Sequence, residues 1–234
     1  MKPEVALINE VVLPGQILKE INTASNKKIT LGPGLKRVAN NIIICKCGIL
    51  RKKGSNFFWV DSLQKRYVPA KDETVVGTVV KKAGDYYRVD IGASDHALLH
   101  YLSFEGATKK YKPDIQVGDV IFGRLVVSCS DMEPELFCTD ITTGKKDRYG
   151  KLSNDGFLFN CSLHLIRKIL NPKCPFLSSL GKAFTFESAI GMNGKVWVKG
   201  DDVTTTIAVA NAILTAEVMN QDELKEFYSK FGQK

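Results

Sequence analysis

The sequence of 234 residues lacks several features that would point to particular classes of protein. No apolar run approaches the roughly 18–20 residues of a membrane-spanning helix, so we expect no membrane segment. The stretch from Met1 to Leu18 has neither a basic start nor a small-residue cleavage site, which argues against a signal peptide. The GxSxG elbow, the GxxxxGK(S/T) phosphate loop and the HExxH zinc motif are all missing. With three histidines and no such constellation, we expect no catalysis by this chain.

Cysteine is present but follows no disulfide or zinc pattern. The six cysteines are spread over the chain without a CxxC pair, which fits a reducing compartment where most thiols act as small buried hydrophobes. Cys45 and Cys47 lie in IIICKCGIL, which is read as one strand, so they share a face. No second pair completes a zinc site, and we therefore expect no metal and no cofactor.

The charge of the chain is basic and unevenly distributed. The net charge is +8, with +8 in residues 1–72, −3 in residues 73–145 and +3 in residues 146–234. A basic imbalance indicates an acidic partner, of which nucleic acid is the commonest, although a solvated surface explains it as well.

Residues 1–72 predict an N-terminal β domain. Short strands are read in VVLPGQIL, ITLGPGLKR, IIICKCGIL and NFFWV, with Pro-Gly turns inside the first two. Pro69 and the charges around it predict a boundary near residue 72.

Residues 73–145 predict a second β domain with five short strands. They are read in TVVGTVVKK, DYYRVDIG, HALLHYLSF, GDVIFGRLVV and PELFCTD, with a long connection between the third and the fourth. This pattern fits an OB-fold barrel. The connection contains TKKYKPDIQ, whose lysines can reach a phosphate backbone and whose Tyr111 offers a stacking ring.

Residues 146–234 predict an α+β domain. Helices are read in SLHLIRKIL, in PFLSSLGKA up to Gly181, over residues 202–219, and from Gln221 to Phe231. FTFESAI and KVWVKG alternate like strands. No internal repeat is present.

The string Gly191-Met192-Asn193-Gly194 has two interpretations. By its letters it is a GxxG, the loop that clamps backbone nucleotides in KH domains. The strands on either side and the Asn-Gly pair instead favour a tight hairpin turn of type I′. Trp197 shares a strand face with Lys195 and Lys199, and its size favours a role as a domain-interface anchor.

The barrel offers a candidate RNA-binding groove. In its second strand, Val89 and Ile91 take the core face, which turns Arg88 outward. A groove of outward cations with stacking aromatics is how OB barrels bind single strands. The alternative is a solvated face, which the net −3 of this domain supports. The candidate RNA-binding residues are Arg88, His100, Lys109, Lys110, Lys112 and Arg124.

Several long strings resemble a known family. LGPGL, VDSLQKRYVP, YLSFEGATK, DMEPEL, LIRKIL and GMNGKVWVK together resemble ribosomal RNA-processing protein 40 (exosome component three), a family of cap subunits of the eukaryotic RNA exosome. The resemblance runs from about residue 10 to the C-terminus. It implies three modules, namely an N-terminal β domain, an OB barrel of the ribosomal S-one type and a KH domain.

The resemblance also implies function and partners. Such cap subunits are not catalytic; they hold together a ring of RNase-PH-like subunits, contact other cap subunits and guide RNA into the channel for 3'-5' processing and decay. It implies a hetero-oligomeric complex in the nucleus and nucleolus and also in the cytoplasm. In this family the loop has a GxNG form with a structural role, here carried by Gly191, Met192, Asn193 and Gly194.

The sequence departs from the barrel pattern at two positions. Asp85 and Arg88 stand where aromatics are expected, so stacking should be weak and RNA binding should depend on charge, on salt and little on base sequence. Two other functions stay open: a purely structural clamp of the ring, and RNA binding in translation or ribosome assembly.

Overall fold

A computed structural model describes residues 8–18, 29–39, 41–54, 56–129, 132–139, 148–172 and 174–219. The chain divides into two compact units, Met1–Gln64 and Lys65–Lys234. The helix predicted from Gln221 to Phe231 lies outside the described residues. The three domain boundaries from the sequence stay predictions.

The first unit contains two small sheets. Its strands are β1 Val11–Val12, β2 Ile17–Leu18, β3 Thr30–Leu31, β4 Leu35–Val38, β5 Asn41–Ile44, β6 Gly48–Lys53 and β7 Phe57–Asp61. One sheet has the order β1-β6-β7-β3 and the other β2-β5-β4. Apolar side chains from both sheets form a common core, which contains Val12, Leu18, Ile42, Ile44, Leu50 and Val60.

The prediction of one strand through IIICKCGIL is wrong. The strand breaks at residues 45–47, so that β5 belongs to one sheet and β6 to the other. The chain has to cross between sheets here because residues on both sides of the break, Ile44 and Leu50, are needed in the same core. Cys45 and Cys47 therefore do not share the face of one strand, and both are exposed.

The expectation that most thiols are buried is also wrong. Only Cys138 is buried, while Cys161 and Cys174 are half-buried and the other three are exposed. Burial raises the pKa of the Cys138 thiol, and burial together with the charge of Glu217 raises the pKa of Cys161 to about 12.

We expect the thiols to differ in reactivity in the folded protein. Because the thiolate is the nucleophile, iodoacetamide at pH 8 should alkylate Cys45 and Cys47 about tenfold faster, or more, than Cys138. Peptide mass mapping over time measures this difference. In denaturant all six thiols should react at similar rates, and equal rates in the folded protein would contradict the packing around Cys138.

The second unit begins with the predicted five-stranded barrel. Its strands are β8 Thr74–Ala83, β9 Tyr86–Asp90, β10 Ala97–His100, β11 Val120–Cys129 and β12 Met132–Phe137. They follow the order β12-β10-β9-β8-β11, and the pairing of β11 with β12 closes the barrel. Only β10 and β12 run parallel among these pairs. The OB-type fold expected from the sequence is confirmed.

Strand β8 is buried on both faces because it belongs to two cores. Val75 and Val79 point into the barrel with Val89 of β9 and with Ile91, which directly follows β9, and this confirms the alternation read from the sequence. Val76 points outward and packs against Trp197. The outward face of β8 is thus the surface that receives the C-terminal module.

The C-terminal module has the KH arrangement expected from the resemblance. Three strands in the order β14-β16-β15 pack against three helices around a second core. Its elements are β14 Phe157–Asn160, α1 Leu163–Ile169, α2 Phe176–Ala183, β15 Phe186–Ile190, β16 Lys195–Gly200 and α3 Val203–Val218.

Some details differ from the sequence prediction. Helix α2 continues past Gly181 to Ala183, and Asp202 takes the N-cap position of α3 without a side-chain hydrogen bond. Strand β14 was not predicted, nor was β13 Gly150–Lys151, which extends the barrel sheet beside β11. Among the described helices, none combines the length and the apolar character needed to span a bilayer.

Candidate nucleic-acid interface

A row of outward side chains crosses the barrel from strand to strand. Tyr86 on β9 is paired with His100 on β10. The parallel register of β10 with β12 continues towards Phe137, which is paired with Arg124 on β11. Arg124 is in turn paired with Thr74 on β8. The row therefore places an aromatic side chain, an imidazole, a second aromatic side chain and a cation next to one another.

Ring contacts order the aromatic part of this row, in which Tyr86 is exposed and His100 is half-buried. The rings of Tyr86 and His100 meet edge to face with their centroids 4.8 Å apart, and the ring centroids of His100 and Tyr101 are 4.7 Å apart. His100 Nδ1 accepts a hydrogen bond of 3.1 Å from the backbone N–H of Leu102. In the neutral ring the proton is therefore on Nε2, which is left to donate.

Tyr86 is a residue that the list of candidates from the sequence missed. Its side chain is 47% exposed, so its ring is available to a stacking base. The signal was present, because the alternation that turns Arg88 outward turns Tyr86 outward as well. The expectation of weak stacking was based on Asp85 and Arg88 alone.

A shallow pocket of about 360 Å³ opens in the middle of this surface. It lies between β10 and β12, and its walls come from both strands and from the turn after β10. The residues that line it are Tyr86, Leu98, His100, Leu102, Ser103, Glu135, Leu136 and Phe137. The lining of the pocket thus consists mainly of rings, aliphatic side chains and the carboxylate of Glu135.

Three of the six candidate cations form ion pairs. Arg88 contacts Glu133 at 3.4 Å, Lys112 contacts Asp85 at 2.9 Å and Arg124 contacts Asp72 at 2.9 Å. The hydrogen bond and the charge of Lys112 lower the pKa of Asp85. Solvent-exposed pairs of this kind contribute about 0–1 kcal/mol, so a phosphate group can replace the carboxylate at little cost.

One lysine of the long connection borders the aromatic row, and two others are exposed. Lys112 lies over the ring of Tyr101 at 4.7 Å and ties the connection to Asp85, beside Tyr86. Lys109 and Lys110 are exposed and form no ion pair with any other described residue. The structure therefore brings Lys112, His100 and Arg124 to one surface, with Arg88 two residue pairs further along the strands.

The Gly191–Gly194 string joins β15 to β16 as a hairpin turn. The Gly194 N–H donates to the Gly191 carbonyl at 3.1 Å, and the Gly191 N–H donates to the Lys195 carbonyl at 3.0 Å. The type I′ prediction is wrong, because that turn needs positive φ at both central residues and Asn193 does not have it. Gly194 takes the positive φ, at 86°.

The reason for an asparagine in this turn lies in the barrel. Asn193 is 7% exposed. Its Nδ2 donates to the carbonyls of Val76 and Ile91 at 2.7 and 2.8 Å, and its Oδ1 accepts from the Val76 N–H at 3.2 Å. The Met192 N–H donates to the Thr74 carbonyl at 2.8 Å. These bonds fasten the turn to β8 and β9 and leave it no surface for a nucleotide.

Two side chains of β16 extend the same contact. Trp197 is 3% exposed and packs against Val76 and Ala189. Lys195 Nζ lies 2.9 Å from both the carbonyl and the carboxylate of Asp90. Burial alone would raise the pKa of Asp90, but hydrogen bonds from Lys195 and the Gly92 N–H give a net lowering. The turn and β16 together fix the KH module against the barrel.

The usual place of a KH clamp has no glycine in this chain. A KH clamp loop joins two helices, here α1 and α2, and the connection over residues 170–175 contains two prolines but no glycine. Among the described residues, no group of three or more His, Cys, Asp or Glu side chains is placed to hold a metal.

Comparisons with known proteins agree with the division of the fold. A family model described as the S1 domain of exosome complex component RRP40 matches residues 67–150. A KH-domain model matches residues 156–204, and a model of the mammalian RRP40 N-terminal domain matches residues 9–63. Exosome complex component RRP40 of Bos taurus is 40% identical over 97% of this chain and 92% of its own length.

The chain belongs to the RRP40 family. The family member of Drosophila melanogaster is 42% identical and covers 95% of each chain, and that of Schizosaccharomyces pombe is 39% identical over 90% of this chain and 89% of its own. A crystal structure of an exosome complex RNA-binding protein matches with a TM-score of 0.59 at 19% identity, covering 72% of this chain and 95% of that one. At that identity the match shows a shared fold.

Proposed function

We propose that the chain is a non-catalytic, RNA-binding cap subunit of the RNA exosome. In this proposal it stabilises the ring of RNase-PH-like subunits, contacts other cap subunits and guides RNA into the channel for 3'-5' processing and decay. Membership of the RRP40 family, whose relatives are named exosome complex components, supports the assembly. Its place of action is the nucleus and nucleolus, and also the cytoplasm.

One observation carries the RNA-binding part of the proposal. The outward row from Tyr86 to Arg124 combines an exposed ring with cations, the two elements that OB barrels use on single strands. Lys112 borders this row, and Lys109 and Lys110 of the same connection are exposed cations that add to its attraction for phosphates. Asn193 and its neighbours have a structural role, because their hydrogen bonds hold the barrel and the KH module at one angle.

A second candidate function is a structural clamp that never contacts RNA. The ion pairs of Arg88, Lys112 and Arg124 favour it, because carboxylates already occupy these cations. The two candidates differ in whether RNA can displace those carboxylates.

Charge reversal on the barrel separates the two candidates. We expect Arg124→Glu combined with Lys110→Glu to weaken binding of single-stranded RNA about tenfold or more at physiological salt. The slope of log affinity against log salt should also fall in magnitude by about 1–2. Binding is measured by anisotropy with the full chain, and crosslinking in the assembled exosome maps the contact.

The control has the same change of charge elsewhere. Arg167→Glu with Lys182→Glu alters two exposed cations on α1 and α2 and should leave RNA affinity nearly unchanged. Both variants should still assemble with the ring subunits. Undiminished RNA binding by the barrel variant would reject Arg124 and Lys110 as RNA contacts. No RNA binding and no crosslink by the unaltered chain, with assembly intact, would favour the structural clamp.

A further inference from the structure

We propose that the barrel pocket holds one unpaired base and prefers bases with an exocyclic amino group, namely adenine, cytosine and guanine, over uracil. In this proposal, the carboxylate of Glu135 discriminates between the bases. The inference rests on the proposed RNA-binding function and adds a base preference that charge alone cannot supply, since phosphate contacts carry no sequence information.

The position of Glu135 is the first argument. It lies on β12, paired with Leu98 of β10, two residue pairs away from the row that contains Tyr86 and His100. It lines the pocket and is half-buried, unlike an ordinary solvated surface carboxylate. The ring of Tyr86 stands on the other side of the same pocket. A base that stacks on Tyr86 therefore presents its edge towards the carboxylate.

The second argument is that Glu135 has no partner. Glu133, two residues earlier on the same strand, contacts Arg88. The side chain of Glu135 forms no ion pair or hydrogen bond with any other described residue. Its carboxylate oxygens can therefore accept hydrogen bonds from a ligand without giving up a partner in the protein.

The chemistry of the pocket follows from these two groups. An ionised carboxylate can only accept hydrogen bonds and repels a phosphate, so it is suited to an amino group on a base. Uracil has no amino group, and the one donor on that edge, N3–H, lies between two carbonyl oxygens that would repel the carboxylate. His100 Nε2, which carries the ring proton, can donate to an acceptor atom on the same base. Stacking on Tyr86 contributes affinity for every base alike.

The test uses the full-length chain and short RNA probes. Anisotropy compares an oligouridylate of about ten nucleotides with oligomers that carry adenine or cytosine at the central positions. We expect the wild-type chain to bind the adenine and cytosine probes about tenfold more tightly than the uridine probe. Glu135→Gln, which can donate as well as accept, should reduce that ratio to about twofold or less.

Two further variants serve as controls. Glu133→Gln makes the same change of charge on the same strand and should keep the preference, because its carboxylate contacts Arg88 instead of lining the pocket. Tyr86→Ala should weaken binding of all probes because the stacking ring is lost.

The outcomes distinguish this inference from the proposed function. Equal affinity of the wild-type chain for all probes overturns the base preference. So does a uniform gain in affinity for every probe in Glu135→Gln, which would mean that the carboxylate only repels RNA. Both results leave the proposed function in place. If the wild-type chain binds no probe and gives no crosslink in the assembled exosome, the proposed function fails as well.

Discussion

Asn193→Ala is expected to lower the free energy of unfolding of the second unit by about 3 kcal/mol, because three buried backbone groups lose their partner at once. The Val76 N–H and the carbonyls of Val76 and Ile91 all bond to this side chain. Alanine reaches none of them, and the fold leaves little room for water at a residue 7% exposed. The melting temperature should fall by roughly 6–12 °C.

Urea denaturation followed by tryptophan fluorescence measures this loss. A Trp59→Phe background leaves Trp197, beside the turn, as the one tryptophan of the chain. The matched control is Asn211→Ala, which removes an exposed asparagine from α3 and should change stability by about 0.5 kcal/mol or less. If the two variants had equal stability, the hydrogen bonds of Asn193 would contribute nothing measurable.

The hydrogen bonds of Asn193 explain why this position holds an asparagine, and the explanation differs from the one that the sequence suggested. The Asn-Gly pair in the sequence suggested positive φ at Asn193, a demand that a β-branched residue resists. The backbone of Asn193 makes no such demand, and positive φ occurs at Gly194. Asn193 is required for its amide, which donates to two carbonyls and accepts from one N–H in the barrel.

Gly156→Ala is expected to destabilise the second unit by about 2–3 kcal/mol through overpacking. A Cβ at Gly156 would overlap the indole Nε1 and Cε2 of Trp197. The indole cannot move away easily, because Trp197 is 3% exposed and is held against Val76 and Ala189. The variant should also loosen the barrel–KH contact, which hydrogen exchange at the Val76 amide would report.

A glycine elsewhere in the same module gives an effect of opposite sign. Gly181→Ala lies within α2, where a Cβ meets no atom within 4 Å. Alanine should stabilise that helix by roughly 0.5–1 kcal/mol.

A second substitution tests the overlap at Gly156 directly. Trp197→Phe should reduce the cost of Gly156→Ala, because the smaller ring lacks the overlapping atoms. Equal costs with and without the indole would contradict the overlap.

Local patterns were sufficient for much of the fold. Alternation predicted the presence of the five barrel strands and, in the second of them, the inward Val89, since a strand with one buried face repeats every two residues. The third strand was predicted too long, because Tyr101–Ser103 form a 3-10 helix after β10. The helical period in LHLIRKIL predicted α1. Two short strands, β13 and β14, were missed because a few residues carry too little pattern.

Alternation along the strands indicated which residues could face outward on the barrel, and the flanking strands favoured a hairpin at Gly191 over a nucleotide clamp. What those residues contact depends on how the strands and modules pack in three dimensions. Closure of the barrel places Tyr86, His100 and Glu135 around one pocket, although they come from three strands. Docking of the KH module inserts Asn193 between β8 and β9, from residues more than a hundred positions away. Such contacts join segments that are distant along the chain, and no local periodicity records which distant backbone a side chain will reach.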